Sequence, residues 1–192
     1  MSFKKASGKG IIVSAPSGAG KTTIVRYLLA QDLNLSFSVS ATNRKSRGEE
    51  VHGKDYYFLD TDDFKSKIMN GEFLEWEEVY ENQFYGTLNQ ELERIWSLEH
   101  QVIFDVDVIG GINLKKKLGE KALSIFIQPP SMDVLENRLR SRKTDSLEQI
   151  EKRLAKANVE MKESINFDVV IVNDELDKSC AEACEIINQF LS

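Results

Sequence analysis

The feature that most constrains the fold is a loop of small residues between a predicted strand and a predicted helix. The loop reads Ala15-Pro16-Ser17-Gly18-Ala19-Gly20-Lys21-Thr22 and follows the β-branched run Ile11–Val13, which is typical of a buried strand. A helical pattern of apolar residues comes next. An ordinary flexible turn is the alternative, but strand, loop, Lys-Thr and helix in this order predict a P-loop, whose N–H groups surround a phosphate. Lys21 can then reach the outer phosphates, and the Thr22 hydroxyl can bind Mg²⁺.

The overall composition limits the classes of function. A formal charge of −6 argues against a general nucleic-acid binder, so any anion site must be formed locally by arginines and backbone amides. No apolar run approaches the length of a membrane span, and the N-terminus lacks the apolar core of a signal peptide. We therefore expect a cytoplasmic protein with neither a membrane nor a nucleic acid as partner. Cys180 and Cys184 suit the inner face of the last helix better than a metal site.

Beyond the P-loop, strand and helix patterns alternate, which predicts an α/β fold with a central parallel sheet flanked by helices. Between Leu35 and Ser97 the pattern changes to short strands, predicted at Leu35–Ala41, Asp55–Leu59, Glu72–Tyr80 and Phe84–Thr87. We predict a core domain from residues 1–34 and 98–192, with residues 35–97 as a small, mainly antiparallel insert. A polar, Arg-rich segment at 138–150 is predicted to project from the core as a lid.

Three further local predictions bear on the site. A short helix is expected over Asp62–Met69 with Thr61 as its N-cap. A buried strand is expected over Gln101–Asp107, and a long amphipathic helix over Leu147–Ile165.

Three polar clusters are candidates for chemistry, although each has a simpler interpretation. Arg44 and Arg47 fit a solvated loop. Asp105 and Asp107 end a predicted parallel strand, where ligands of open α/β sheets bind, but they also fit helix caps. The third cluster fits ordinary ion pairs on a helix surface and consists of Arg138, Arg142 and Arg153.

Taken together, four blocks of sequence resemble the guanylate kinases, which move the terminal phosphoryl group of ATP onto GMP. The blocks are SAPSGAGKTT (Ser14–Thr23), SVSATNRKSRGEEVHGKDYYF (Ser38–Phe58), GEFLEW with YGT (Gly71–Thr87), and IFDVDVIGG with RLRSRKTDSLEQIEKRL (Ile103–Gly111 and Arg138–Leu154). They cover nearly the whole chain in the family's order and close to its spacing.

The resemblance implies a role for each matching residue. ATP would be bound by Ala15, Pro16, Ser17, Gly18, Ala19, Gly20, Lys21, Thr22 and Thr23, with Thr22 also binding Mg²⁺. The GMP phosphate would be held by Ser40, Arg44, Arg47 and Tyr56, with Tyr85 nearby, and guanine would be read by Glu75, Thr87 and Asp107. The catalytic residues would be Lys21, Arg44, Arg138, Arg142, Arg153 and Asp105; Asp105 would lie near the Mg²⁺ waters, and Arg138, Arg142 and Arg153 would close over ATP.

The chemistry of these residue types agrees with the implied roles. Two guanidinium groups and two hydroxyls suit a dianionic phosphate. Guanine offers N–H donors to a carboxylate such as Glu75 and an O6 acceptor to the Thr87 hydroxyl. Adenine presents the opposite pattern, and a site built on such polar pairs can reject the wrong partner by about 10⁴–10⁵.

Four positions depart from the family's usual pattern. Ala15 replaces the glycine that usually opens the loop, and Thr87 stands where Ser is also found. Lys143 follows Arg142 where Gly is common, and the turn at residues 81–83 varies in length. None of these changes removes a charge that the chemistry requires.

We therefore expect an ATP:GMP phosphotransferase of purine nucleotide metabolism that accepts GMP or dGMP and uses Mg²⁺ with ATP. It is expected to be a monomer or a homodimer. One alternative is a guanylate-kinase-like scaffold module that binds phosphorylated peptides, and another is a P-loop kinase for a different nucleotide or small metabolite. The intact Lys21 and Thr22 argue against the first, and Glu75 together with Asp107 argues against the second.

Overall fold

A computed structural model describes residues 8–141 and 146–192. Its strands are β1 (Gly10–Ser14), β2 (Leu35–Phe37), β3 (Ala41–Thr42), β4 (Tyr57–Phe58), β5 (Phe73–Tyr80), β6 (Gln83–Leu88), β7 (Gln101–Asp105), β8 (Ala122–Gln128) and β9 (Val169–Val172). Its helices are α1 (Lys21–Leu29), α2 (Thr61–Met69), α3 (Asn89–Ser97), α4 (Val108–Leu118), α5 (Met132–Ser141), α6 (Leu147–Glu160) and α7 (Leu176–Leu191). Short 3₁₀ helices follow α4 at Gly119–Lys121 and α6 at Met161–Asn166.

The centre of the molecule is a five-stranded sheet in the order β2-β7-β1-β8-β9, and every pairing within it is parallel. Alternate residues of β1 point to opposite faces, as a strand requires. Ile11 and Val13 therefore pack with α1 and α7 on one face, while Ile12 packs with α3 and α4 on the other. The predicted α/β fold with a central parallel sheet flanked by helices is confirmed.

A second sheet has the order β4-β3-β6-β5. β3 pairs with β6 and β6 with β5 in antiparallel fashion, while β3 and β4 run parallel. Helix α2 covers this sheet with Phe64, which is fully buried and stacks on Phe73 and Phe84 with ring centroids 4.4 and 5.6 Å apart. The second sheet thus has an aromatic core of its own.

The predicted single strand at Leu35–Ala41 is wrong. Residues 35–37 form β2 at the edge of the five-stranded sheet, whereas residues 41–42 form β3 in the second sheet. The strand breaks at Val39 because its N–H donates to the buried Glu91 carboxylate at 2.9 Å instead of to a neighbouring strand. The beginning of the predicted insert therefore belongs to the central sheet.

Three other predicted boundaries are corrected. The N-cap of α2 is Asp60, whose carboxylate accepts the Asp63 N–H at 2.7 Å, and Thr61 is already helical. Strand β7 ends at Asp105, because Asp107 instead caps α4. Helix α6 ends at Glu160 and the chain continues to Asn166 as a 3₁₀ helix.

The predicted lid lies partly outside the described residues, since residues 142–145 are not among them. On its far side α6 begins with a capping box, in which Ser146 and Gln149 exchange side-chain and backbone hydrogen bonds. This capping box stabilises the N-terminal end of α6.

None of the helices formed by the described residues combines the length and the apolar composition needed to cross a lipid bilayer.

We predict that Phe64→Ala lowers the free energy of unfolding by about 3–5 kcal/mol, because it leaves a cavity between two stacked rings. Urea denaturation of the ligand-free protein measures this change. Met69→Ala on the same helix is the control. Because Met69 is 81% exposed, this substitution should change the free energy of unfolding by no more than about 0.5 kcal/mol. Equal losses for the two variants would contradict the assignment of Phe64 to a core.

Candidate active site

The loop between β1 and α1 curls as a P-loop must. Gly18 and Gly20 have φ angles of 100° and 101°, a region that residues with a Cβ rarely adopt. A Cβ at Gly18 would also lie 2.9 Å from Leu139, and one at Gly20 would collide with the Asn173 side chain. The turn is closed by the Ala19 N–H, which donates to the Pro16 carbonyl at 3.1 Å.

Asn173, which the sequence did not single out, supports this loop from the end of β9. Its buried Nδ2 donates to the Ala19 carbonyl at 2.7 Å. Its own backbone carbonyl accepts a hydrogen bond from Arg138 Nη2 at 2.9 Å. The signal that could have found it is its position immediately after a buried parallel strand, where ligands of such sheets bind.

Lys21 and Thr22 both contact Asp105 at the end of β7. Lys21 Nζ forms an ion pair with Asp105 Oδ1, and Thr22 Oγ1 donates to Oδ2 at 3.2 Å. Burial lowers the pKa of Lys21 to about 8, although Asp107 and Glu160 act in the opposite direction. Because this pKa still lies above neutral pH, Lys21 is mainly an ammonium group there.

Helix α6 lies across the P-loop. Arg153 Nη1 donates to Ser17 Oγ at 3.4 Å, which brings one of the predicted lid arginines to the loop. Further along the same helix, Lys156 Nζ lies 3.4 Å from Glu160 Oε1 and 4.0 Å from Asp107 Oδ2. Burial raises the pKa of Glu160.

The P-loop and the second sheet face each other across one cavity of about 750 Å³. The predicted residues that line it are Ala15, Pro16, Ser17, Gly18, Gly20, Lys21, Thr22, Thr23, Ser40, Tyr56, Glu75, Tyr85, Asp105, Asp107 and Arg153. The predicted residues that do not line it are Ala19, Arg44, Arg47, Thr87 and Arg138. Arg142 lies outside the described residues.

Glu75 and Asp107 line the cavity, and Thr87 lies directly behind Glu75. The buried Thr87 hydroxyl donates to Glu75 Oε1 at 2.8 Å, which ties the strands β5 and β6 together. Burial raises the pKa of Glu75 to about 7, and the nearby Asp107 and Glu77 act in the same direction. Asp107 is fixed from the other side, since its carboxylate accepts the Gly110 N–H at 2.8 Å as the N-cap of α4.

Glu77 is a further carboxylate of this cavity that sequence reasoning missed. It lies two residues after Glu75 on β5 and so points to the same face, a relation that strand periodicity could have revealed. Burial and the neighbouring Asp107 raise the pKa of Glu77 to about 7, and its Oε2 is buried without a hydrogen-bond partner among the described residues. The cavity therefore presents three adjacent carboxyl groups to a ligand.

Arg44 lies behind the cavity wall in a tight network. Both of its terminal nitrogens donate to Glu50, at 2.6 and 2.7 Å, and its Nε donates to the Tyr85 hydroxyl at 3.2 Å. The guanidinium lies 4.8 Å from the centroid of the Tyr56 ring. The ion pair raises the pKa of Arg44 and lowers that of Glu50 to about 2.

Arg47 contributes to this network through its backbone. Its N–H donates to Glu50 Oε2 at 2.8 Å, while the residue itself is exposed at the surface of the loop. The Arg44 guanidinium and the Arg47 backbone N–H are thus joined through a single carboxylate.

We predict that Glu75→Gln stabilises the ligand-free protein more at pH 8 than at pH 5. The pKa of Glu75 is raised from 4.5 to about 7 in the folded state. The unfolded chain releases this proton at lower pH, so stability falls as the pH rises between these values. A glutamine side chain does not ionise, so its presence adds no such pH dependence. The difference in free energy of unfolding between the Glu75→Gln variant and the unmodified protein should therefore grow by about 1–3 kcal/mol from pH 5 to pH 8.

Urea denaturation at both pH values tests this expectation. Glu93→Gln on the exposed surface of α3 is the matched control. The same pH dependence in both variants would show that Glu75 does not titrate abnormally.

Comparisons with known proteins agree with this geometry. A family model described as guanylate kinase matches residues 7–190. A guanylate kinase of Bacteroides thetaiotaomicron is 53% identical over 191 residues, covering 100% of this chain and 94% of the relative. One from Porphyromonas gingivalis is 49% identical, covering 96% of this chain and 98% of the relative. The crystal structure of guanylate kinase from Anaplasma phagocytophilum superposes with a TM-score of 0.76 at 31% identity, covering 97% of this chain and 88% of that one. The chain therefore belongs to the guanylate kinase family.

Proposed function

We propose that this protein transfers the terminal phosphoryl group of ATP to GMP or dGMP, giving ADP and GDP or dGDP. The observation that carries the proposal is a shared cavity, which is lined both by Lys21 with the P-loop and by Glu75 with Asp107. A phosphate-binding loop facing a set of carboxylates suits two nucleotides bound with their phosphates towards each other.

The ATP side of the cavity consists of the P-loop and Lys21. Backbone N–H groups at the start of α1 favour an anion there, and Lys21 adds a full positive charge. Because Lys21 contacts Asp105 in the ligand-free protein, ATP phosphates would compete for the ammonium group.

The residues beside Lys21 fit a magnesium ion. The Thr22 hydroxyl and the Asp105 carboxylate are adjacent oxygen donors, 3.2 Å apart, and Mg²⁺ prefers oxygen ligands supplied partly by phosphates. An ion bound there with ATP would neutralise charge on the transferred phosphoryl group. Thr22 is proposed as a ligand, and Asp105 as a neighbour of the ion's water molecules.

The acceptor side recognises guanine through its hydrogen-bond donors. In this proposal Glu75 and Asp107 accept from N1–H and the 2-amino group, and the buried Thr87, whose hydroxyl donates to Glu75, holds that carboxylate in place. A ligand with donors offsets the cost of keeping ionised carboxylates in a buried site, and adenine lacks the N1–H.

The phosphate of GMP is proposed to bind near Ser40, Tyr56 and Tyr85, with charge supplied by Arg44 and Arg47. The transferring phosphoryl group would be approached from the other side by Arg153, which already reaches Ser17. Arg138 and Arg142 are proposed to complete this cationic set when the lid closes. Arg138 donates to the Asn173 carbonyl in the ligand-free structure and would have to exchange that partner.

The reaction needs no general base. The second pKa of the acceptor phosphate is about 6, so its attacking oxygen is largely deprotonated at neutral pH. Catalysis then consists of alignment and charge neutralisation by Lys21 and the arginines. Water must be kept from the transferred group, so the second sheet and the lid are proposed to approach each other when both nucleotides are bound.

A coupled assay of ADP formation, with GMP titrated into protein and MgATP, tests the proposal. We expect ADP formation to require GMP, with dGMP accepted and AMP, CMP and UMP rejected. Absence of MgATP binding would favour a phosphopeptide-binding scaffold, and turnover with another acceptor would favour a different nucleotide kinase. A rate of ATP hydrolysis without GMP close to that of the full reaction would contradict the closure.

We predict that Glu75→Gln reduces the preference for GMP over other nucleotides by at least about tenfold, while the Kd for ATP changes little. The amide replaces an acceptor oxygen with a donor and so meets guanine mismatched. Glu93→Gln serves again as the control. An equal loss of ATP affinity would place Glu75 outside the base pocket.

A cytoplasmic location and assembly as a monomer or homodimer stay predictions.

A further inference from the structure

The hydroxyl oxygen of Tyr85 accepts two hydrogen bonds from side chains that do not line the cavity. Arg44 Nε donates to it at 3.2 Å, and Gln83 Nε2 donates to it at 2.9 Å. Tyr85 also lines the cavity. Its hydroxyl is therefore fixed at the edge of the space proposed for the acceptor nucleotide.

A phenol has one hydrogen to donate and accepts through its oxygen lone pairs. With N–H groups from Arg44 and Gln83 directed at the oxygen, the hydroxyl hydrogen cannot point at either of them. The hydrogen bonds among the described residues include none in which Tyr85 is the donor. The hydrogen is therefore left for another acceptor, and Tyr85 lines the cavity, where a ligand can supply one.

The backbone before Tyr85 places the Gln83 side chain next to the Tyr85 hydroxyl. Gln83 is the first residue of β6, and its side chain reaches the same face as Tyr85 because the two are separated by one residue. The preceding Asn82 turns the chain with a φ of 55°. These backbone features bring the Gln83 amide to the Tyr85 oxygen.

Arg44 is held in turn by groups that leave it little freedom. Glu50 binds both terminal nitrogens, and the Lys45 carbonyl accepts from Nη1 at 2.9 Å. The guanidinium also lies over the Tyr56 ring. Arg44 therefore presents Nε to Tyr85 in one orientation, with its charge unchanged at any pH at which the protein is folded.

We propose that Gln83 is a positioning residue for the acceptor side, which together with Arg44 directs the hydroxyl hydrogen of Tyr85 at the phosphate of the acceptor nucleotide. The inference rests on the proposed function, because that phosphate is the acceptor for the hydrogen bond. Gln83 itself does not line the cavity and acts through Tyr85. A donor oriented before the ligand arrives costs less ordering on binding than one that must rotate.

The effect expected from losing Gln83 is that of one oriented neutral hydrogen bond. Gln83→Leu keeps the approximate size of the side chain and removes the N–H donor. Its KM for GMP should rise by about three- to tenfold, while kcat at saturating GMP and KM for ATP stay unchanged.

A double-mutant cycle with Tyr85→Phe separates positioning from a general structural effect. In the Tyr85→Phe background, Gln83→Leu should cause no further rise in KM for GMP, since the hydroxyl that it orients is gone. Gln189→Leu on the exposed surface of α7 is the matched control and should leave every constant unchanged.

Gln83→Glu is a second variant for the same measurement of KM for GMP. Because Glu and Gln have nearly the same size, any change in KM cannot come from lost packing. A carboxylate at residue 83 has no N–H to donate and would accept the Tyr85 hydrogen itself. KM for GMP should then rise more than in Gln83→Leu. Unfolding curves of each variant identify any that fail to fold.

The results that would overturn the role of Gln83 differ from the result that would refute the proposed GMP kinase activity. Turnover of GMP by the unmodified protein with an unchanged or lowered KM for GMP in Gln83→Leu would overturn the inference. An equal rise in KM with and without the Tyr85 hydroxyl would also overturn it, because Gln83 would then act by another route. Absence of GMP phosphorylation by the unmodified protein would refute the proposed function, and the inference with it.

Discussion

The ion pair between Lys21 and Asp105 joins the two strands that define the site. Lys21 follows β1 and Asp105 ends β7, so their contact fixes the P-loop relative to the neighbouring parallel strand. It also keeps the positive charge of a partly buried ammonium group compensated before any ligand arrives. In a protein of net charge −6, the cationic side chains that line the cavity, among them Lys21 and Arg153, make it a local site for an anion.

The same cavity also contains a cluster of carboxyl groups whose negative charges repel one another. Glu75, Glu77 and Asp107 lie close together, and the pKa values of the first two rise to about 7. Because the raised pKa values favour the neutral acids, a ligand that supplies N–H donors would favour the ionised forms. In the proposed mode of binding, a base with such donors would be preferred, since a base without them leaves ionised carboxylates unpaired.

The sequence predicted the parts of the molecule that depend on neighbours along the chain. The strand, loop and helix around Gly20 and the alternation of strands and helices are local patterns, and they predicted the α/β fold correctly. Interactions between distant residues were less accessible: Asn173 supports Ala19 from 154 positions away, and Glu91 breaks the strand at Val39 from 52 positions away. Glu77 was accessible from the sequence, because it lies two residues after Glu75 on β5 and so shares its face.

The short segment at residues 38–40, which separates β2 from β3, has a consequence for how the molecule selects its ligand. The chain leaves the five-stranded sheet there and returns to it at β7, so Glu75 and Thr87 belong to the second sheet, while Asp107 caps α4 just after β7 of the central sheet. In the proposed mode of binding, a base that bonds to both sides would link the second sheet to the start of α4, which already packs against β5. The correct base would thus strengthen a contact between two parts of the protein, whereas a base that bonds to only one part would not.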